Sequence, residues 1–173
     1  MEHTAGKNET AYTAAVITVS DAGARGERLD TSGPALCSML EQEGWNVVFT
    51  AVVPDERETI AQVLRSCAEE KKISLVLTTG GTGFSMRDVT PEATMDVIQR
   101  LTPGIPEAMR AESMKITPKG CLSRGTAGIR NETWIINFPG SEKAVRETFP
   151  VIAGALHHGV DMIRSSGSAN CGG

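Results

Sequence analysis

Apolar and β-branched residues form three short runs in the first half of the chain, and a segment with helical spacing follows each run. The runs predict strands at 13–19, 45–53 and 73–79. The segments that follow have apolar residues three or four positions apart, and they predict helices at 31–43, 57–71 and 91–101. Because strands and helices alternate, this pattern predicts an α/β fold with a parallel, doubly wound sheet.

The second half of the chain predicts a helix, two short strands and a long helical region, at 105–116, 125–130, 133–138 and 141–164. Asn131 and Glu132 join the two strands, which indicates an antiparallel addition at the edge of the sheet. Pro150 predicts a break or kink in the last helical region because proline removes a backbone hydrogen bond.

The remaining segments are polar or rich in glycine. Residues 22–30 predict a mobile loop between the first strand and the first helix. We expect one domain at 13–164, with a flexible leader at 1–12 and a flexible tail at 165–173.

A Gly-rich loop at 80–83 directly follows the third predicted strand. Thr90 and Pro91 then predict a helix start, with Thr90 as the N-cap and Pro91 at the first helical position. The loop is neither a P-loop, which requires Gly-Lys-Ser/Thr, nor a dinucleotide fingerprint, whose third glycine would fall at Met86. A loop of this kind at the carboxyl end of a strand predicts a ligand crevice, but it is also typical of a tight turn. Both readings stay open on these residues alone.

Charge and composition narrow the classes of function. The chain has 173 residues, a formal net charge of −4 and 40% hydrophobic residues. A negative net charge argues against a general nucleic-acid binder, which usually has a basic surface. The polar N-terminal residues lack the apolar region of a secretory signal, and no run approaches the length of a membrane span. We therefore expect a cytoplasmic protein with no nucleic-acid or membrane partner.

Carboxylates stand where the predicted strands end. Asp55 follows the second strand, Asp88 follows the third, and Asp21 follows the first. In a parallel sheet these ends share one edge, so Asp55 and Asp88 could hold Mg²⁺ together with substrate phosphates. Each carboxylate is also compatible with a cap or turn role.

Hydroxyl and basic residues supply further candidates for binding an anion. Ser141 is favoured because it follows Pro139 and Gly140 at a predicted helix start, where backbone N–H groups attract anions. A loose basic set could place one or two of its members against a phosphorylated ligand: Arg110, Lys115, Lys119, Arg124 and Arg130.

The segment 79–94, Thr-Gly-Gly-Thr-Gly-Phe-Ser-Met-Arg-Asp-Val-Thr-Pro-Glu-Ala-Thr, closely resembles the signature of the molybdenum-cofactor biosynthesis family, in its molybdopterin adenylyltransferase branch. Other segments resemble the same family in the same order, at 18–21, 31–34, 52–56, 112–118, 122–124, 127–130 and 135–140. The resemblance covers residues 13 to 163, and it is far more specific than the Gly-rich loop alone.

The resemblance implies a three-layer α/β/α domain that assembles as a homotrimer. It also implies a reaction in which AMP moves from ATP to the terminal phosphate of molybdopterin, with Mg²⁺ as cofactor and pyrophosphate as the second product. We expect the product to pass to a separate molybdate-insertion protein, since the sequence shows no second domain for that step.

By matched position, the resemblance makes Asp55 and Asp88 the essential carboxylates, which handle the metal and the nucleotide phosphates. Asp21 and Ser32 match the nucleotide side. The positions that match the molybdopterin side are Gly80, Gly81, Thr82, Gly83, Ser113, Ser123, Asn137, Pro139, Gly140 and Ser141.

Two other functions remain as alternatives. The chain could be a non-catalytic, trimeric molybdopterin-binding member of the same fold, although it has both Asp55 and Asp88. It could also be a regulatory nucleotide-binding module, which would bind ATP without releasing pyrophosphate.

Overall fold

The computed structural model describes residues 12–165. Its strands are β1 (Thr13–Val19), β2 (Asn46–Val53), β3 (Leu75–Thr79), β4 (Arg100–Leu101), β5 (Ala127–Arg130) and β6 (Thr133–Phe138). Its α-helices are α1 (Asp21–Ala24), α2 (Ser32–Gln42), α3 (Arg57–Glu69), α4 (Thr90–Met95), α5 (Gly104–Ile116) and α6 (Glu142–Arg164), and a 3₁₀ helix covers Pro118–Leu122. The predicted leader and tail lie outside the described residues, apart from Tyr12 and Ser165 at their borders.

The strands form one mostly parallel sheet in the order β2-β1-β3-β6-β5-β4. β1 pairs in parallel with β2 and β3, and β3 pairs in parallel with β6. β5 is antiparallel to both of its neighbours. The prediction of a mostly parallel α/β sheet is therefore confirmed, and the carboxyl ends of β1, β2, β3 and β6 lie at one edge.

Helices cover both faces of the sheet, which makes it the middle layer of three. On one face, α2, α5 and α6 pack on a core that includes Leu40, Leu77 and Phe138. On the other face, α3 and α4 pack on a core that includes Ile17, Leu64 and Val76. The three-layer α/β/α arrangement is thus confirmed.

The strand that precedes the Gly-rich loop, β3, lies inside the sheet and is held firmly there. All five residues of β3 are buried, because β1 and β6 flank the strand and helices cover both its faces. Burying one large aliphatic side chain contributes about 1.5–3 kcal/mol, so Leu75 and Leu77 anchor this strand firmly. The loop that follows β3 therefore starts from a rigid support.

The helix predicted at 91–101 is shorter than expected and ends at Met95. The chain then turns to pair with β5. The Gln99 N–H donates to the Ile129 carbonyl (2.8 Å), and the Thr102 N–H donates to the Ala127 carbonyl (2.9 Å). Strand pairing over these residues creates β4 and overrides the local helical pattern.

Three further expectations are corrected. The β5–β6 hairpin forms as predicted, but β6 lies inside the sheet beside β3, and the short β4 occupies the edge. The segment 22–30 is not wholly loop, because α1 forms at its start and the Ser20 hydroxyl caps it by accepting the Gly23 N–H (3.0 Å). α6 continues through Pro150 without a break, with Phe149 and Ile152 on either side of it in the same core, while a kink there stays a prediction.

No helix within residues 12–165 is both long enough and apolar enough to cross a membrane.

Candidate active site

The loops that follow β3 and β6 are joined at the carboxyl edge of the sheet. The Gly80 N–H donates to the Phe138 carbonyl (3.2 Å), and the Thr79 hydroxyl donates to the Pro139 carbonyl (2.7 Å). These bonds hold the Gly-rich loop against the turn that leads into α6.

Gly80 and Gly81 let the chain turn sharply at this edge. Their φ angles are +102° and +67°, in the region that favours glycine. A Cβ on Gly80 would lie 2.2 Å from the Val19 carbonyl oxygen, and a Cβ on Gly81 would lie 2.2 Å from Thr90 Oγ1. Thr90 is the first residue of α4 rather than its N-cap, and its hydroxyl donates to the Gly80 carbonyl (2.9 Å).

Two cavities open beside the Gly-rich loop. The α5-side cavity, about 480 Å³, lies between the loop, α5, the 3₁₀ helix and the start of α6. The α2-side cavity, about 380 Å³, lies between the loop, the segment from the end of β1 to the start of α2, and the start of α6. Both cavities are lined by Gly81, Asp88, Gly140 and Ser141. Ligands in the two cavities would therefore meet at this junction.

Most of the predicted site residues line one cavity or both. Besides the four shared residues, the α5-side cavity is lined by Thr82, Gly83, Ser113, Ser123, Asn137 and Pro139. The α2-side cavity is lined by Ser32, Asp55 and Gly80, so Gly80 groups with two residues predicted for the nucleotide and phosphate side rather than with the other residues predicted for molybdopterin. Asp21 lines neither of these cavities and contacts Asp55 instead.

Asp21 and Asp55 bind each other through reciprocal backbone-to-carboxylate hydrogen bonds. The Asp21 N–H donates to Asp55 Oδ2 (2.8 Å), and the Asp55 N–H donates to Asp21 Oδ1 (2.9 Å). Asp21 is further held by Arg87, whose Nε and Nη2 donate to its two carboxylate oxygens at 3.0 and 2.9 Å. Arg87 also donates to Glu56 Oε1 (3.0 Å).

The two linked carboxyls have pKa values shifted in opposite directions. Partial burial raises the pKa of the Asp55 carboxyl, and the negative charges of Asp21 and Asp88 raise it further. Hydrogen bonds from Arg87, and then from the Asp55 backbone, lower the pKa of Asp21. Asp55 is therefore a carboxylate whose negative charge lacks full compensation within the protein, and a bound cation would stabilise it.

Asp55 and Asp88 each retain an oxygen for a cation. Asp55 Oδ2 accepts the Asp21 N–H, and Asp88 Oδ2 accepts the Ser85 N–H (2.9 Å). The Oδ1 atoms of Asp55 and Asp88 have no hydrogen-bond partner within residues 12–165. Within the same range, no three or more His, Cys, Asp or Glu side chains are grouped as a metal site. The donor set fits Mg²⁺, which commonly takes one or two carboxylates and completes its shell with substrate phosphates and water.

The charges that line the two cavities differ. The α2-side cavity has three carboxylates, on Asp30, Asp55 and Asp88, and one cation, Arg28. The α5-side cavity has two cations, Arg110 and Lys119, and two carboxylates, Asp88 and Glu147. Of the basic set, Arg110 and Lys119 line a cavity, and Arg110 Nη1 donates to the Ser123 and Gly125 carbonyls (3.3 and 2.8 Å). Contact of either residue with a phosphorylated ligand stays a prediction.

The other members of the basic set are paired elsewhere. Lys115 pairs with Glu112 and Arg130 pairs with Glu69. The role of Arg124 could not be seen in the sequence. Its guanidinium donates to the Gly83 carbonyl (2.8 Å) and the Asp88 carbonyl (2.6 Å), and it also pairs with Glu92. Arg124 thus braces both ends of the loop that carries Asp88, through contacts 32 to 41 residues away along the chain.

Asn137 forms part of the floor of the α5-side cavity. Its Nδ2 donates to Thr78 Oγ1 (3.0 Å) and to Thr94 Oγ1 (2.9 Å), and its Oδ1 accepts the Thr126 N–H (3.1 Å). With three partners inside the protein, this buried amide shapes the cavity more than it offers free groups to a ligand.

Hydroxyl groups around the α5-side cavity remain available. Among residues 12–165, neither the Thr82 nor the Ser113 hydroxyl has a hydrogen-bond partner. Ser123 Oγ accepts the Gly125 N–H (3.3 Å), and Ser141 Oγ caps α6 by accepting the Ala144 N–H (3.1 Å). Both oxygens keep the ability to donate to an anion.

Asp30 is a further site residue that the sequence did not single out. Its carboxylate accepts the Thr18 hydroxyl (2.6 Å) and the Gly33 N–H (3.0 Å), and it lines the α2-side cavity. A Cβ on Gly33 would lie 2.3 Å from Asp30 Oδ2 and 2.4 Å from Thr18 Oγ1, so both side chains would have to move to accommodate it. The sequence did hold a signal for Asp30, because an acidic residue just before a helix start commonly caps the helix.

Comparison with known proteins agrees with this geometry. A family described as "Probable molybdopterin binding domain" matches residues 15–158. The chain is similar to the molybdopterin adenylyltransferase of Helicobacter pylori, with 41% identity over 150 residues, covering 86% of this chain and 85% of that relative. It is also similar to the molybdenum cofactor synthesis protein cinnamon of Drosophila melanogaster, with 43% identity over 149 residues and 86% of this chain covered. The match covers only 25% of the length of the fly protein.

A solved structure shows the same fold. The molybdopterin biosynthesis enzyme MoaB from Thermus thermophilus superimposes with a TM-score of 0.85 and 41% sequence identity, covering 90% of this chain and 98% of that one. Because the family match spans residues 15–158 and includes the strands and loops that build both cavities, this chain belongs to the family of probable molybdopterin binding domains.

Proposed function

We propose that this chain is a molybdopterin adenylyltransferase, which transfers AMP from ATP to the terminal phosphate of molybdopterin and releases pyrophosphate. The observation that carries the proposal is the junction of the two cavities, where Asp88, Gly140 and Ser141 line both. An enzyme that joins two phosphorylated substrates needs two binding pockets that meet where the new bond forms. The activity named for the Helicobacter pylori relative supports the same proposal.

The lining charges suggest which substrate each cavity binds. The α5-side cavity offers Arg110, Lys119 and free hydroxyls for a phosphate, and Met109 and Leu122 as apolar surface for a flat ring system. We assign molybdopterin to this cavity. The α2-side cavity, with its three carboxylates, would bind ATP as its metal complex.

The proposed step is a displacement at phosphorus. An oxygen of the molybdopterin phosphate attacks the α-phosphorus of ATP and forms a new P–O bond. The bond from that phosphorus to the bridging oxygen of the β-phosphate breaks, and pyrophosphate leaves with the electron pair. This chemistry needs positioning and charge stabilisation rather than a protein nucleophile. The N-terminus of α6 lies at the junction, where its backbone dipoles would stabilise the phosphate charges.

Asp55 and Asp88 are the residues that would hold Mg²⁺, each through its free Oδ1. When bound, the ion would neutralise charge on the ATP phosphates and make the α-phosphorus more electrophilic. Asp21 would act on the nucleotide side only through Asp55, because it does not line the α2-side cavity.

Assembly as a homotrimer is part of the proposal. Apolar side chains on and near α5 are about half exposed, which suits an interface with other copies: Leu101, Met114 and Ile116. Analytical ultracentrifugation would give the mass of a trimer, and a monomer mass would contradict it. The hand-over to a molybdate-insertion protein, the cytoplasmic location and the limits of the domain at 13–164 stay predictions.

Transfer of a labelled nucleotide tests the activity. With ATP labelled at the α-phosphate, the proposal expects the label in molybdopterin; with ATP labelled at the γ-phosphate, it expects the label in pyrophosphate. Label from the γ-phosphate in molybdopterin would indicate a kinase instead. Binding of both substrates with no transfer of label would favour the non-catalytic module, and ATP binding alone would favour the regulatory one.

A further inference from the structure

Three loops at the carboxyl edge of the sheet are tied together by one side chain. Arg87, in the loop after β3, donates two hydrogen bonds to Asp21, which follows β1, and one to Glu56, which follows β2. Asp21 in turn accepts the Asp55 N–H and donates its own N–H to Asp55 Oδ2. A continuous series of hydrogen bonds therefore runs from Arg87 through Asp21 to Asp55.

The backbone N–H of Asp21 determines which oxygen of Asp55 is free, and the Asp21 carboxylate, which Arg87 holds, accepts the Asp55 N–H. Asp55 Oδ2 is occupied by the Asp21 N–H at 2.8 Å. Oδ1 faces the Gly-rich loop, since a Cβ placed on Gly81 would lie 3.2 Å from it. The orientation depends on Asp21, and Asp21 receives both of its charged hydrogen bonds from Arg87.

Arg87 itself is placed for support rather than for contact with a ligand. It lines neither the α2-side nor the α5-side cavity, and its Nε and Nη2 donate to carboxylates of the protein. Its neighbour Asp88, by contrast, lines both cavities.

We propose that Arg87 is a positioning residue, which fixes Asp21 so that Asp21 holds the backbone and the carboxylate of Asp55 in the orientation needed for transfer. This inference rests on the proposed function for its effect on turnover. The structural part of the inference is that Arg87 restrains Asp55, and this part does not depend on which reaction the site carries out.

Kinetics of four variants test the effect on turnover. We expect Arg87→Met to lower kcat by about tenfold or more, because small misplacements of catalytic groups are costly, and to change KM for ATP less than twofold. Asp21→Asn should have a similar effect. Since the two residues act as one unit, the double variant should be no worse than the more damaged single variant. Arg87→Lys keeps the charge but loses the two-pronged geometry, so its kcat should lie between those of Arg87→Met and the wild type.

Arg57 provides a matched control. It forms a two-pronged pair with Asp96, at 2.6 and 2.7 Å, and its side chain is 55% exposed compared with 54% for Arg87. Arg57→Met should therefore remove an equivalent surface pair without lowering kcat. A loss of kcat as large as that of Arg87→Met would show that any such pair has this effect, and would overturn the inference.

Hydrogen exchange tests the structural half without any turnover. The Asp55 N–H donates to Asp21, so its exchange with deuterium, followed by NMR, should become about tenfold faster or more in Arg87→Met and stay unchanged in Arg57→Met. Unchanged exchange at Asp55 in Arg87→Met would overturn the inference. So would a raised KM for ATP with unaltered kcat, because it would indicate direct contact with ATP. Single losses that multiply in the double variant would also overturn it, because they would show that Arg87 and Asp21 act independently. A wild-type protein without pyrophosphate release would contradict the proposed function alone.

Discussion

The two cavities share a wall, yet the charges that line them differ. The α5-side cavity is lined by Arg110, Lys119 and hydroxyl groups, which could hydrogen-bond directly to an anion. The α2-side cavity is dominated by carboxylates, which would repel a bare polyphosphate. Under the proposed function, this difference would let an acidic protein bind two anionic substrates with a bound cation on one side only. It also places the greatest demand for accurate geometry on Asp55 and Asp88.

The largest effect should come from Asp88, the carboxylate that lines both cavities. We expect Asp88→Asn to lower molybdopterin-dependent pyrophosphate release by about a thousandfold, since it removes a metal ligand and charge at the reaction centre. The fold should be retained, because asparagine can still accept the Ser85 N–H. Asp96→Asn, which changes a carboxylate outside both cavities, is the control. Full activity of Asp88→Asn would remove Asp88 from the mechanism.

Metal removal tests the contrast between the cavities directly. With a chelator present, calorimetry should show ATP affinity weakened about tenfold or more, because the carboxylates of the α2-side cavity are left uncompensated. Molybdopterin affinity should change less than twofold, since its proposed cavity supplies its own cations. Equal weakening of both ligands would mean that the two cavities do not differ in this way.

The wall between the cavities depends on Gly80. We expect Gly80→Ala to lower the free energy of unfolding by about 2 kcal/mol or more, because the added Cβ meets the Val19 carbonyl at 2.2 Å and φ is +102°. Gly154→Ala is the matched control. Gly154 lies within α6 with no atom near its added Cβ, so alanine there should stabilise the protein by about 0.5–1 kcal/mol. Urea unfolding of both variants measures the difference, and equal stabilities would contradict it.

A smaller, pH-dependent effect should come from Glu92, which holds Arg124 against the loop between the cavities. The hydrogen bond from Arg124 lowers the pKa of Glu92 below its ordinary value. A carboxyl with a lowered pKa in the folded state adds stability above its unfolded pKa, of about 4.3, and loses it as the pH falls through the folded value. Because the pair is partly exposed, we expect less than about 1 kcal/mol at neutral pH.

Urea unfolding across pH checks this prediction. The stability difference between the wild type and Glu92→Gln should be greatest near neutral pH and should shrink on acidification below about pH 4. Glu58→Gln, which removes a more exposed partner of Arg65, is the control and should show little difference at any pH. If the stability difference between the wild type and Glu92→Gln grew as the pH fell, the predicted direction of the pH dependence would be contradicted.

The sequence was most informative where local pattern and tertiary packing agree. β1 has the bounds that were predicted, and β3 was found because its whole length is apolar or β-branched and is buried on both faces. The helical pattern after Pro91 predicted a helix that extends too far, because Gln99 and Thr102 pair with β5 instead. No local pattern reports such pairing with residues some thirty positions away.

The same limit separates the site residues that were predicted from those that were missed. Asp55 and Asp88 could be predicted because they follow strands, and parallel strands share an edge. The contacts of Arg87 and Arg124 could not, because each depends on carbonyl or carboxylate groups brought together only by the fold. The hydrogen bonds between Asp21 and Asp55 could not be predicted either, and the nucleotide-side role of Asp21 stays a prediction.

Pyrophosphate release from ATP and Mg²⁺, measured with and without molybdopterin in the wild type and in Asp55→Asn, tests the central claim most directly. The proposed function predicts release from the wild type only when molybdopterin is present, and a loss of at least about a hundredfold in the variant. Release without molybdopterin, or unchanged release from Asp55→Asn, would contradict a transferase whose two substrates meet at this junction.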